Sequence, residues 1–154
     1  MPIDIGLPDT ARDTSADALR LLLGETYALY NKTHGYHWNV TGPRFSELHN
    51  LFMTQYTELW NALDVIAERL RALDHFAPGS SAELVAPATI KPDNGIPDAN
   101  AMISNLVKGH EAISRAARAG LKIAEGNGDI VTADLMTQRA DIAEKTAWML
   151  RSSL

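Results

Sequence analysis

Four of the five histidines in the 154-residue sequence lie between positions 34 and 75, the stretch that also holds Asp64 and Glu68. At about 100° per residue, His49, Asp64 and Glu68 fall within about 100° of arc on one face of a helix, and Met53 shares that face. Imidazole and carboxylate groups without sulfur suit iron, manganese or zinc rather than copper(I). This pattern of side chains indicates a metal site.

One copy of this helix cannot close that site. At a rise of about 1.5 Å per residue, His49 and Asp64 are about 22 Å apart along the axis, whereas metal–ligand bonds are about 2 Å long. Two antiparallel copies that cross between positions 58 and 59 place His49 opposite the partner's Glu68, and position 53 opposite the partner's Asp64. Twofold symmetry then creates two equivalent sites per dimer, and His37 is a further candidate ligand.

Composition excludes several other kinds of site. The chain has no cysteine, which excludes thiol catalysis, cysteine-ligated zinc and iron–sulfur clusters. None of its glutamates is followed by a histidine three residues later, so it lacks the Glu-x-x-His motif of bundles that bind two metal ions within one chain.

Charge and hydropathy limit the kinds of partner that the chain is expected to bind. The chain has 14 basic and 19 acidic side chains, a net charge of −5 and no lysine- or arginine-rich arm at either end, a distribution that does not favour direct DNA binding. No apolar stretch approaches the roughly 20 residues of a membrane helix, and no signal segment is evident. We therefore expect a soluble cytoplasmic protein.

Helices must position the candidate ligands, and the apolar periodicity predicts four long ones in a single domain, residues 1–154. Thr14 and Asp17 resemble a capping box, so residues 1–13 are expected to form an irregular tail. The predicted helices cover about 14–39, 44–73, 98–125 and 129–152, the second being the longest. A long crossover joins the second to the third, with one short helical turn at 82–85. This pattern predicts an all-α four-helix bundle of ferritin-like connectivity.

The motifs in this bundle resemble those of the Dps family of ferritin-like proteins, over nearly the whole chain. The resemblance rests on His37-Trp38-Asn39, Gly42, His49 twelve residues after His37, and Asp64-Val65-Ile66-Ala67-Glu68-Arg69. The closing segment, Glu-Lys-Thr-Ala-Trp-Met-Leu at 144–150, is similar to the last helix of that family.

The resemblance implies a ferroxidase. Its catalytic and metal-binding residues would be His37 and His49 of one subunit with Asp64 and Glu68 of its twofold mate. Family members oxidise Fe(II), usually with hydrogen peroxide, and store the ferric product inside a hollow dodecamer. A homo-oligomer built from twofold dimers is therefore expected, with iron as the metal and with zinc or manganese as alternatives.

One ligand position departs from the family pattern. Four residues after the second histidine the family usually has Asp or Glu, and this chain has Met53. Because iron prefers hard oxygen donors to a thioether, we expect the primary iron site to persist and the second to be weakened.

Trp38 and the two candidate pore residues have two interpretations each. Trp38 is either an electron donor or radical trap beside His37, or a packed interface aromatic. The resemblance places Asp129 and Asp134 at threefold iron-entry pores, whereas their position also suits the first turn of a helix. Tyr27 and Tyr30 are interpreted as core packing. His34 is interpreted as a hydrogen-bonded helix residue.

Two alternative functions remain open from the sequence. The first is a non-enzymatic nucleoid protein that binds DNA, a role found in some relatives. The second is a cage that sequesters metal with impaired ferroxidase activity, because Met53 replaces an acidic ligand.

Overall fold

Five helices form the regular structure of the chain in the computed structural model, which describes residues 1–154. They are α1 (Asp9–Asn39), α2 (Phe45–Ala72), α3 (Ser81–Val85), α4 (Ala99–Gly126) and α5 (Ile130–Arg151). The chain has no β-strand, and none of its helices combines the length and the apolar character that a membrane crossing requires. The predicted all-α architecture, four long helices with a short one in the crossover, is confirmed.

The four long helices bury their apolar faces against one another. The main packing contacts are between α1 and α2, between α4 and α5, and between α1 and α4. Short connections make α1 and α2, and likewise α4 and α5, neighbouring hairpins. The fully buried core includes Leu19, Leu22, Leu29, Leu48, Phe52, Leu59, Ile66, Met102, Ile103, Leu106, Ile113 and Met136.

Helix α1 begins earlier than the sequence predicts. It starts at Asp9, so the expected irregular tail of residues 1–13 is wrong for its last five residues. The extended backbone of Pro8 ends the tail, and its carbonyl accepts bonds from the N–H groups of Ala11 and Arg12. Thr14 lies within the helix and bonds back to the Thr10 carbonyl. At 31 residues α1, not α2 with 28, is the longest helix.

The crossover between α2 and α4 lies tightly against α1. A Cβ atom at Gly24 would lie 2.6 Å from the backbone oxygen of Leu84, so the close approach of α3 requires glycine there. The buried carboxylate of Glu25 accepts hydrogen bonds from the backbone N–H groups of Thr89 (2.9 Å) and Ile90 (3.1 Å). The crossover is therefore fixed along its length to the helix that carries His37.

A tight turn at residues 40–44 sets the relation between α1 and α2. Gly42 adopts a φ of 111°, which side chains disfavour and glycine tolerates. Arg44 donates to the backbone oxygen of Ser153 at 2.6 Å and so ties the turn to the end of the chain. The turn brings the last residues of α1 beside the first residues of α2.

Candidate metal centre

His37 and His49 lie face to face where α1 ends and α2 begins. Their ring centroids are 3.8 Å apart, and the ring planes are inclined by only 19°. His37 Nδ1 is 2.7 Å from the backbone oxygen of His49, and His49 Nδ1 is 2.7 Å from the backbone oxygen of His37. The two residues thus hold each other by a reciprocal pair of hydrogen bonds.

This reciprocal pairing fixes the chemistry of both rings. A carbonyl oxygen can only accept, so each Nδ1 must carry the proton that it donates. In a neutral imidazole the lone pair then lies on Nε2, the form in which a histidine binds a metal ion. Backbone carbonyls are typical outer partners of metal-binding histidines, because they orient the ring and raise its basicity. In their neutral forms both rings therefore carry the lone pair on Nε2.

Aromatic side chains surround the pair. The ring of Phe45 lies at 5.1 Å from that of His49, and Tyr56 meets His37 edge to face at 5.2 Å. His37 is 8% exposed, whereas its neighbour Trp38 is 66% exposed in the single chain. The pair is thus flanked by two aromatic rings, and Trp38 lies on the outer surface.

The two candidate carboxylates lie farther along α2. Asp64 and Glu68 are exposed and are one helical turn apart, so they share one stretch of the surface. Along the axis Asp64 is about 22 Å from His49. No three His, Asp or Glu side chains come together as a metal site within one chain. The structure therefore brings the two histidines together and leaves the two carboxylates about four and five helical turns away.

Exposed apolar side chains lie among polar ones on α2 between these two halves and beside Asp64. Met53 is 44% exposed, Trp60 58% and Val65 55%. A groove of about 530 Å³ includes Asp64 in its wall. Its other lining residues are mostly apolar and come from α1, α2 and the crossover: Leu23, Tyr27, Trp60, Leu63, Ala67 and Leu84.

An array of aromatic rings extends from His37 along α1. His34 stacks on Tyr56, with centroids 3.9 Å apart and an angle of 17°, and it lies 4.1 Å from Trp38. Tyr30 places its hydroxyl 3.0 Å from His34 Nδ1, which confirms His34 as a hydrogen-bonded helix residue. Burial, and to a lesser degree the nearby His37, lowers the pKa of His34 below its usual value.

The two candidate pore residues differ in their surroundings. Asp129 is 1% exposed, accepts from the N–H of Thr132 as the N-cap of α5, and forms an ion pair with Arg69 at 2.7 Å. Burial opposes ionisation of Asp129, but its hydrogen bonds with Thr132 and the charge of Arg69 outweigh this effect, so the pKa is lowered. Asp134 is exposed and accepts from the side chain of Gln138. The contacts of Asp129 are those of a cap and an ion pair; the pore role of both residues stays a prediction.

Comparisons with known proteins agree with this architecture. The family model described as a ferritin-like domain matches residues 16–154. A low temperature-induced protein of Nostoc sp. is 39% identical over 152 residues, which cover 97% of this chain and 85% of that protein. DNA protection during starvation protein 2 of Bacillus anthracis is 31% identical over 138 residues, which cover 90% of this chain and 94% of that one.

Solved structures are similar over the whole chain. The Dps protein of Vibrio cholerae O1 matches with a TM-score of 0.93 and 33% identity, covering 99% of this chain and 96% of that one. The chain belongs to the Dps family of ferritin-like proteins. DpsC of Streptomyces coelicolor, another Dps structure, matches with a TM-score of 0.95 and 26% identity and covers 99% of this chain and 90% of that one.

Sequence reasoning missed two features of this Dps chain. The first is the aromatic array, whose signal was the four-residue spacing of Tyr30, His34 and Trp38 along α1. Tyr30 is half-buried in this array and not part of the inner core. The second is the burial of Asp129, which no local pattern shows, because its partner Arg69 lies 60 residues earlier.

Proposed function

We propose that this Dps protein oxidises Fe(II), preferably with hydrogen peroxide, and stores the ferric product in a hollow cytoplasmic shell of twelve subunits. Each oxidation site would combine His37 and His49 of one subunit with Asp64 and Glu68 of the partner subunit. The observation that carries this proposal is the reciprocal hydrogen bonding that leaves both Nε2 atoms available as ligands.

Three further arguments support a site shared between two chains. Asp64 and Glu68 are exposed, and the surface between them and the histidines carries the large exposed apolar side chains of Met53 and Trp60, as expected for a face that a second copy covers. An antiparallel crossing of two α2 helices would bring His49 of one chain beside Glu68 of the other. The Dps protein of Vibrio cholerae O1 is described as a member of a superfamily of ferritin-like diiron-carboxylate proteins.

The residues have distinct chemical tasks. The carboxylates of Asp64 and Glu68 favour Fe(III) over Fe(II) because they add negative charge at the ion, while the neutral imidazoles complete its coordination without adding charge. The reciprocal bonds hold the rings in place before the substrate ion arrives, so little ordering accompanies binding. Exclusion of water by Phe45, Tyr56 and the partner's surface strengthens these interactions.

Met53 makes the two halves of the site unequal. The proposed crossing places position 53 opposite Asp64 of the partner subunit, where the family usually supplies a second acid. A thioether is a poor ligand for iron, so the site would hold one ferrous ion firmly at His37, Asp64 and Glu68 and a second one only weakly. This predicts slow or altered turnover.

The proposal is tested with Asp64→Ala/Glu68→Ala protein that retains the wild-type assembly size. We expect peroxide-dependent Fe(II) oxidation to fall to the uncatalysed rate, because the hard ligands are lost. Glu47→Ala is a matched control, since Glu47 is an exposed α2 carboxylate that pairs with Arg44 at 2.8 Å. Unchanged oxidation in the double variant would reject the site.

The two alternative functions are separated by direct assays. A relative carries the name DNA protection during starvation protein, so a gel-shift titration at moderate ionic strength tests DNA binding. The net charge of −5 favours no shift. A sequestering cage would bind zinc or manganese in calorimetry without accelerating Fe(II) oxidation in stopped flow. Zinc or manganese could also occupy the proposed iron site.

A further inference from the structure

Tyr30 differs from the other tyrosines near the histidine pair in having an imidazole nitrogen as its hydrogen-bond partner. Its hydroxyl oxygen is 3.0 Å from Nδ1 of His34, one turn later on α1. When the ring proton of His34 is on Nε2, Nδ1 accepts the bond from the Tyr30 hydroxyl. Tyr27, one turn earlier, instead places its hydroxyl 2.8 Å from the hydroxyl of Ser81. Tyr30 therefore has a base for its proton within hydrogen-bonding distance.

Rings in contact connect this pair with the proposed metal ligand. His34 stacks on Tyr56 at 3.9 Å, and Tyr56 meets His37 edge to face at 5.2 Å. Tyr30 itself is 6.2 Å from Tyr56 and 5.3 Å from Trp60 by ring centroids. Each step lies within the range of ordinary aromatic contacts, so no gap separates Tyr30 from His37.

One firmly held ferrous ion supplies one electron fewer than the reduction of hydrogen peroxide requires. Hydrogen peroxide accepts two electrons when its O–O bond breaks, and one ferrous ion supplies one. A second iron ion held by an acidic side chain would supply the other, but Met53 occupies that position. Without a further donor, the reaction at one ion would release a hydroxyl radical.

We propose that Tyr30 supplies this second electron and that His34 takes its proton. This inference rests on the proposed function. In the step, Fe(II) and Tyr30 each lose one electron, the O–O bond of hydrogen peroxide breaks, and two hydroxide ions form. The O–H bond of Tyr30 breaks and its proton moves to His34 Nδ1, which leaves Fe(III), a neutral tyrosyl radical and a protonated imidazole.

The next ferrous ion returns Tyr30 and His34 to their starting states. It reduces the tyrosyl radical, the proton returns from His34 to the Tyr30 oxygen, and a second Fe(III) forms. The sum of the two steps is two Fe(II) oxidised per hydrogen peroxide reduced to two hydroxide ions. Tyr30 thus stands in for the second iron ion, and one well-held ion per site is enough for a two-electron reduction.

Burial adds a reason for the proton to move with the electron. Burial of Tyr30 is the main reason why its pKa is raised, and Tyr56 and Tyr27 make smaller contributions. A tyrosine that keeps its proton is easier to oxidise when a base accepts that proton in the same step. His34 is placed for this role by its stacking on Tyr56 and its tilted contact with the ring of Trp38.

The first test uses the assembled protein mixed with Fe(II) and hydrogen peroxide and frozen rapidly for electron paramagnetic resonance. We expect a tyrosyl signal that changes with ring-deuterated tyrosine, is lost in Tyr30→Phe and persists in the control Tyr27→Phe. Spin trapping is expected to detect more hydroxyl radical from Tyr30→Phe than from wild type. An unchanged signal in Tyr30→Phe, or oxidation of Fe(II) by wild type without any tyrosyl signal, would overturn the inference.

A second test needs no iron and so separates this inference from the proposed function. Iron-free protein is exposed to a photochemically generated one-electron oxidant, and modified tyrosines are located by mass spectrometry. Tyr30 is expected to be modified in preference to Tyr27, and His34→Phe, which keeps a stacking ring but removes the base, is expected to lose that preference. Equal modification of Tyr30 in wild type and His34→Phe would overturn the role of the pair, even in a protein that oxidises Fe(II).

Discussion

His37 and His49 each donate from Nδ1 to the backbone oxygen of the other, at 2.7 Å in both directions. The two bonds join the end of α1 to the start of α2 across a turn, so one pair of contacts serves both the fold and the orientation of the proposed metal ligands. Because Nδ1 makes the structural bonds and Nε2 is the atom proposed to bind metal, the two tasks can be separated by substitution.

His49→Asn tests this separation. An asparagine side chain places an N–H near the position of Nδ1 but has no counterpart of Nε2, so we expect near-wild-type thermal stability together with loss of metal binding. The loss should exceed the roughly 10–100-fold that removal of an outer partner of a ligand costs. Differential scanning calorimetry and anaerobic Fe(II) titration measure the two effects. His49→Phe, which lacks both groups, should be impaired in both, and wild-type affinity in His49→Asn would contradict the assignment of Nε2.

Met53→Glu is expected to restore a second iron site. A carboxylate at position 53 would lie opposite Asp64 of the partner subunit and supply the hard donor that the thioether lacks. Anaerobic titration should show Fe(II) stoichiometry rising from about one towards two ions per site, with faster oxidation. Met53→Leu is the matched control and should change neither quantity. A decrease in both affinity and rate for a correctly assembled Met53→Glu protein would show that the weakened site has another cause.

The buried ion pair between Arg69 and Asp129 is expected to stabilise the bundle. Arg69→Ala would leave the carboxylate of Asp129, which is 1% exposed, without its cation, and the free energy of unfolding should fall by about 3 kcal/mol. Arg71→Ala is the control, because Arg71 lies over the exposed ring of Phe76 and should cost about 1 kcal/mol or less. Denaturant titrations should compare the proteins at equal subunit concentration. Equal losses in the two variants would contradict this account.

Acid should weaken the same pair. The pKa of Asp129 is lowered in the folded chain, so the unfolded chain binds a proton at higher pH than the folded one. The stabilisation from this pair is complete above the pKa of Asp129 in the unfolded chain, about 4. It is lost as the pH falls through the lower pKa of Asp129 in the folded chain. Wild type should therefore lose more stability than Asp129→Asn between about pH 5 and pH 2. If the free energy of unfolding of wild type and of Asp129→Asn fell equally with pH, the ion-pair role would be contradicted.

Glu25 is expected to fix the crossover to α1. Glu25→Ala would remove the acceptor for the N–H groups of Thr89 and Ile90 and lower the free energy of unfolding by about 1–3 kcal/mol. Proteolysis within residues 86–97 should become faster. Glu83→Ala is the control, because Glu83 is an exposed carboxylate that accepts from the N–H of Gly79 at 3.2 Å. Unchanged proteolysis in Glu25→Ala would show that other contacts hold the segment.

The sequence predicted the bundle and the spacing of the ligands because both follow from helical periodicity. Apolar residues three and four apart define the helix faces, and the same geometry places His49, Asp64 and Glu68 on one stripe of α2. The Gly-Pro turn and the Asp129 cap are local signals as well. These features depend on residues that are close in sequence, which is why the predicted helices differ from the observed ones by a few residues at most positions.

Other features depend on contacts that periodicity does not contain. The predicted capping box at Thr14 was wrong because Pro8 already starts α1, and Thr14 instead bonds within the helix and to Asn127. The reciprocal bonds of His37 and His49 follow from the three-dimensional course of the turn between their helices. The four-residue spacing of Tyr30 and His34 is visible in the sequence. Which of their atoms form a hydrogen bond depends on how Tyr56 of α2 packs against the His34 ring.

The central claim, that each site needs two chains, is tested most directly by complementation. His37→Ala/His49→Ala chains and Asp64→Ala/Glu68→Ala chains are each expected to be inactive alone, since each lacks one half of every site. Coexpressed at equal levels, they should form mixed dimers with one intact site, and about a quarter of wild-type ferroxidase activity should return. Mixed assemblies that remain as inactive as either parent would contradict the shared site.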